Sequence, residues 1–281
     1  MCQTRGVKWG LIVVAGVLAS CGKTGAGSKA VPSPSPSTSG STSTGTGTGT
    51  GTSGSGSPIG ADTLQLVVGI GADWDATQIE LSWYTRVAGG PWRLRAHWPG
   101  GVGYAGLAGG RGLHGVGAPP GAPVSDPLKV EGDGRAPAGA FSILTGFGTT
   151  APPAGLRWSW LAATPTLRCV DDPRSSHYNQ LVDESRVPAD WSSAEDMLRS
   201  DELHARGLVV GHNTSATTPG AGSCIFFHVW TGAGSATVGC TALAHDALAE
   251  LLAGLEPAAH PVYVLLPQRS HQALRAAWAL P

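Results

Sequence analysis

Apolar residues along this chain come in short runs punctuated by Gly and Pro. Residues 64–70, 78–85, 92–98, 207–210, 224–230 and 262–266 have the length and apolar content of strands, and the clusters between them predict turns. A longer period stands out over 244–255. There Leu248, Leu251, Leu252 and Leu255 follow the i, i+3, i+4, i+7 spacing of a helix with one core-facing stripe. A second helix is predicted over 270–279, and no internal repeat of fixed period is visible. The pattern therefore predicts a mainly β fold, a sandwich or barrel, with one or two short helices. Residues 62–281 are enough for one sizeable core and are read as one domain.

The first 61 residues follow different rules. Arg5 and Lys8 precede an apolar run over 11–18, which is far shorter than the roughly 20 residues a membrane-spanning helix needs. The ending Leu18-Ala19-Ser20-Cys21 resembles the lipobox of bacterial lipoproteins, in which the signal is cut before a Cys that then carries lipid. That resemblance implies a signal peptide over 1–20 and lipidation at Cys21. With Gly22 rather than Asp after the Cys, it also implies a periplasm-facing anchor in the outer membrane. Residues 30–61 hold no charge, and 37–57 are only Ser, Thr and Gly. Such a segment has too little apolar surface to offset the entropy of ordering, so 21–61 reads as a disordered linker with an end-to-end distance of roughly 35 Å.

Composition narrows the function. The chain has 281 residues, with 42 Gly, 21 Pro and only 13% charged residues, against roughly 25% charged in an average domain. That excludes a coiled coil, and the absence of a strict Gly period excludes collagen. A net charge of -1 offers no field for nucleic acid, and none is expected as a partner. Ten Trp residues suit sugar stacking, but Trp is also a core residue, and most are assigned to packing.

The cysteines carry the chemistry. With Cys21 lipidated, Cys169, Cys224 and Cys240 remain in an oxidising compartment, an odd number. One disulfide and one free thiol is the simplest arithmetic, and it leaves open whether Cys169 and Cys224 are the pair. Cys240 is the best candidate for a nucleophile. It follows Gly239 and a Gly- and Ser-rich loop, where backbone N–H groups can form an oxyanion hole. His228 ends the apolar run at 224–230, and a loop returns the chain to Cys240. An imidazole within reach can take the thiol proton and later protonate a leaving amine.

Other signals are set aside. Gly101-Val-Gly-Tyr-Ala-Gly106 fits a dinucleotide fingerprint literally, but no helix follows it. Cys224, His228, Cys240 and His245 lack a standard zinc spacing, so no metal and no cofactor is expected.

Several segments together resemble one known family. They are residues 109–113 (GGRGL), 129–141 (KVEGDGRAPAGAF), Asp171-Asp172 followed by Tyr178-Asn179, Gly211-His212-Asn213, 222–228 (GSCIFFH) and Thr237-Val-Gly-Cys240. In this order they are similar to the L,D-transpeptidase (YkuD-like) catalytic domain, a mainly β fold. The resemblance implies that Cys240 attacks the diaminopimelate carbonyl of a peptidoglycan stem peptide, with D-Ala leaving and an amine or water accepting the acyl group. His228 would be the general base. Gly239 and Thr237 would shape the oxyanion turn, the Cys240 N–H, joined by that of Gly239, holding the oxyanion. Asp133, Arg135, Tyr178, Asn179, His212 and Asn213 are candidate substrate-binding residues, although a capping loop at Asp133 and Arg135 and a local turn at His212 and Asn213 are equally compatible with their neighbours. The chain departs from the better-studied branch at Val238, where a second His is usual, and at 241–243, where Arg or Asn is usual. These departures bear on acceptor choice. Alternatives are an L,D-carboxypeptidase or endopeptidase, and a non-catalytic peptidoglycan-binding lipoprotein.

Overall fold

The computed structural model describes residues 56–117 and 126–281. The signal peptide over 1–20, the lipidation site Cys21 and the linker as far as residue 55 lie outside the described residues. The described chain belongs to one compact unit.

The architecture is mainly β. In chain order come β1 (Gln65–Gly71), β2 (Gln78–Thr85), β3 (Arg93–Gly101), β4 (Leu107–Gly109), β5 (Arg111–Gly112), β6 (Gly115–Val116) and the long β7 (Ala136–Gly148). Then follow β8 (Trp160–Ala162), β9 (Leu167–Val170), β10 (Leu181–Asp183), β11 (Ala194–Asp196), β12 (Gly207–Val210), β13 (Phe226–Val229), β14 (Thr241–Leu243) and β15 (Val262–Pro267). Two helices, α1 (His245–Gly254) and α2 (Gln268–Leu274), flank β15. The main sheet closes on itself like a barrel, in the order β12-β13-β14-β3-β2-β1-β15-β7 with β7 pairing back to β12. Closure removes the unpaired strand edges that an open sheet would expose. A separate three-stranded sheet, β10-β9-β11, stands beside it.

Period-two alternation decides what each barrel strand buries. Val67 of β1, Ile79 and Leu81 of β2, and Leu265 of β15 point into one core with Phe141 and Phe227, and the Leu248, Leu251 and Leu252 stripe of α1 packs there too. Opposite faces of the same strands, through Leu66, Val68, Val264 and Leu266, form a second core with Leu274, Trp278 and Leu280. Full burial of one such side chain contributes about 1.5–3 kcal/mol. Gly254 ends α1 where a Cβ would sit 2.1 Å from the Trp83 ring, so the helix packs on β2 only because that residue is Gly.

The expected strands at 64–70, 78–85, 207–210 and 262–266 and the helix at 244–255 match observed elements to within one residue at either end. The second helix is shorter than 270–279. It runs from Gln268 to Leu274 because the chain then turns to bury Trp278 and Leu280 in the second core. The Trp92 indole N–H donates to the Ala279 carbonyl at 2.8 Å and holds that turn.

Candidate active site

Strand β13 explains how an apolar run presents an imidazole. Ile225, Phe227 and Val229 face the barrel core, while Cys224 and Phe226 join a third apolar cluster with Cys169, Met197 and Cys240. His228 follows on the Cys224 and Phe226 face and is half-buried. Strand β14 runs parallel to β13, with Phe227 opposite Thr241 and His228 opposite Ala242. Cys240, just before β14, therefore lies on the same face as Ala242 and beside the His228 strand.

The turn that delivers Cys240 is held by its own side chains. The Gly239 N–H donates to Thr237 Oγ1 at 3.0 Å, and Thr237 Oγ1 donates to the Cys240 carbonyl at 2.8 Å. Thr237 is in turn pinned to residues 102–104 through Thr237 N to Val102 O and Tyr104 N to Thr237 O. Gly239 has φ 150°, and a Cβ there would meet the Arg135 carbonyl at 3.0 Å. Both facts require Gly. Because the Gly239 N–H is already taken by Thr237, the expectation that it assists an oxyanion does not fit this geometry.

Cys240 is the free thiol among the described residues, and Cys169 and Cys224 form a disulfide across 55 residues. The bridge ties β9, and with it the three-stranded sheet, to the segment just before β13. Cys240 Sγ accepts from the Phe226 N–H at 3.3 Å and donates to the Cys224 carbonyl at 3.5 Å. Burial, and then the charge of Glu195, pushes the thiol pKa well above its ordinary range. His228 Nδ1 lies 2.7 Å from the Val229 carbonyl, which can only accept, so the proton sits on Nδ1 and Nε2 is the basic nitrogen. Burial lowers the His228 pKa. Both shifts favour a neutral thiol beside a neutral imidazole at rest.

Two cavities reach Cys240. The first, about 290 Å³, is lined by Cys240 and His228 with Tyr104, His204, Trp230 and Val238 among its walls. The second, about 180 Å³, brings Cys240 and Gly239 together with Lys129, Glu131, Asp171 and Ser223. Glu195 borders both.

The other expected residues are elsewhere. Asp133 closes a turn, accepting from the Val130 and Arg135 N–H groups at 2.9 Å and from buried Lys129 Nζ at 2.5 Å. Arg135 Nη1 donates to the Trp74 and Leu107 carbonyls and its Nη2 lies 3.3 Å from Asp75. Asn179, at φ 62°, clamps three segments: its Nδ2 donates to the His212 and Asn213 carbonyls and its Oδ1 accepts from the Cys224 N–H. His212 is buried with both ring nitrogens engaged, by Ala221 O and Arg111 N, and burial lowers its pKa to about 4. Asn213 bonds Thr218 and Gly222. These residues lie outside the walls of both cavities. Asn179, His212 and Asn213 brace the Cys224 segment instead. Tyr178 donates to Glu131, which connects that brace to the second cavity, and burial raises its pKa.

Sequence reasoning did not reach Glu195, Arg199, His204 or Glu131. Glu131 lies inside the 129–141 segment without standing out in it, and the other three come from segments without a motif: Glu195 rides on the sheet that the disulfide ties down, and His204 packs against Phe147, Phe226 and His228. Among the described residues, no group of three or more His, Cys, Asp or Glu side chains converges as metal ligands do. No family model matches the chain, and neither the curated proteins nor the solved structures yield a match.

Proposed function

We propose that this chain is a cysteine acyltransferase of the L,D-transpeptidase (YkuD-like) kind acting on peptidoglycan stem peptides. The observation that carries the reading is that the Cys240 thiol, free among the described residues, lines one cavity with His228, whose Nε2 is bare, while Cys169 and Cys224 are spent on a bridge. In the reaction, His228 Nε2 takes the Cys240 proton as sulfur bonds to the stem-peptide carbonyl carbon. The Cys240 N–H is the turn donor assigned to the oxyanion. The C–N bond then breaks, and the imidazolium returns its proton to the departing amine, leaving a thioester. An acceptor amine repeats the steps in reverse and restores the thiol. Lipid at Cys21 and the linker would hold the domain near the wall from the outer membrane.

Incubation with a diaminopimelate-containing tetrapeptide tests this. The reading expects D-Ala release and a thioester on Cys240, both absent in Cys240→Ala. One observation favours a second reading, a stem-peptide binder without turnover: the resting thiol donates to the Cys224 carbonyl, not to His228. A tetrapeptide that binds without D-Ala release would select it.

A further inference from the structure

Besides Cys240 and its neighbour Val238, Glu195 is the one residue that borders both cavities, among the described residues. Its place is set at a distance from the barrel: Glu195 on β11 pairs with Cys169 on β9, and Cys169 is bridged to Cys224, whose carbonyl accepts from the Cys240 thiol. Its carboxylate Oε1 lies 3.5 Å from His204 Nε2. His204 is buried, and its Nδ1 lies 3.1 Å from the Met197 carbonyl, which fixes the proton on Nδ1 and leaves Nε2 with a lone pair. A lone pair facing a carboxylate oxygen repels it, so the contact is favourable only when a proton lies between them.

We propose that Glu195 is a positioning residue that governs the ionisation of Cys240, releasing the thiol when its carboxyl is neutral and suppressing the thiolate when it is charged. This deepens the acyl-transfer reading, on which it rests, by naming a group that controls its nucleophile. The surroundings agree. Burial pushes the Glu195 carboxyl up to about 7; Arg199 at 3.9 Å draws it down, and Asp171, Asp196 and Asp201 push it further up. Across the second cavity stand Lys129, whose charge is held by Asp133, and Glu131. Across the first stand His204, lowered to about 4 by burial, and His228, also lowered, so neither supplies a positive charge near neutral pH.

The test is the rate of Cys240 alkylation by iodoacetamide in the full chain from pH 5 to 10, followed by intact mass with Cys240→Ala as the blank. Thiolate sulfur displaces iodide whether or not any acyl donor binds, so failure here and failure of the acyl-transfer reading are distinguishable. In the native protein the logarithm of the rate should rise, flatten near pH 7 as Glu195 ionises, and rise again. Glu195→Gln should rise in one straight limb and react about tenfold faster at pH 8, the size of a coupling of about one pK unit. Glu195→Asp, a second variant should the first fail to fold, should keep a flattening but at a different pH. A flattening near 7 that survives in Glu195→Gln, one unmoved in Glu195→Asp, or no alkylation at any pH would overturn the proposal.

Discussion

The two cavities on either side of Cys240 are built from different chemistry. One is walled by Tyr104, Trp230 and Val238 and holds the imidazoles of His204 and His228. The other is walled by Lys129, Glu131, Asp171 and Ser223, where carboxylates outnumber the cation. On the proposed reading, proton transfer to and from sulfur belongs to the first side, because only that cavity has imidazoles among its lining residues. On the same reading, recognition of a charged substrate group is assigned to the second. Asp171 borders that cavity, its buried Oδ1 has no hydrogen-bond partner among the described residues, and a ligand ammonium group would supply one. One sulfur serving two such walls suits a reaction in which a proton moves on one face while charge is read on the other.

Substitutions can separate the two sides. His228→Ala, which takes the assigned base from the first wall and leaves His204, should lower the rate of Cys240 acylation by about 10² to 10⁴ while leaving substrate affinity near its native value. Equal loss from Asp171→Asn would break the division. Replacing both Cys169 and Cys224 by Ser should cost about 2–5 kcal/mol in denaturant unfolding. The same double variant should also slow acylation, because the sheet carrying Glu195 loses its tie to the nucleophile strand. Asp171→Asn should raise KM for an amine-bearing stem peptide about tenfold with little change in kcat, the size of one charge-assisted hydrogen bond. It should leave the rate with a neutral acyl donor unchanged, which kinetics on the two donors would reveal.

The smallest effect concerns stability. The folded state holds the Glu195 proton up to about pH 7, whereas the unfolded chain releases it near 4.5. That contribution favours the fold below the lower value and is lost as pH rises through the higher one. Glu195→Gln should therefore gain on the order of 1 kcal/mol relative to the native protein between pH 5 and 8, as read from urea unfolding at both.

The two regions also differ in how much of them the amino-acid pattern announces. The barrel strands β1, β2, β12 and β15 are apolar runs bounded by turn residues, and the stripe of α1 has a helical period, so local sequence is enough to find them. Strand β7 escapes that reading because Ala136, Pro137, Ala138, Gly139 and Ala140 are small residues suited to close packing, not to alternation. The segments β9 (LRCV), β10 (LVD) and β11 (AED) are as short as β12 but each carries a charged residue, so no apolar run marks them. The same split runs through the site. Cys240 and His228 stand out as one odd thiol and one His in an apolar run, and the family resemblance, not the run itself, assigns their roles. Glu195 does not, because its approach to Cys240 depends on a bridge between residues 169 and 224, and His204 does not, because only folding packs it against Phe147, Phe226 and His228. Tyr178, Asn179, His212 and Asn213 do form one group, but as a hydrogen-bonded brace around Cys224.

Whether Cys240 is acylated with the help of His228 is decided by intact-mass spectrometry after incubation with a carbapenem, a strained acyl donor. The expected result is an adduct of one drug molecule on the native protein, a much slower adduct on His228→Ala and none on Cys240→Ala. A folded native protein that gains no mass, or an adduct that persists in Cys240→Ala, would contradict the assignment of Cys240 as the nucleophile.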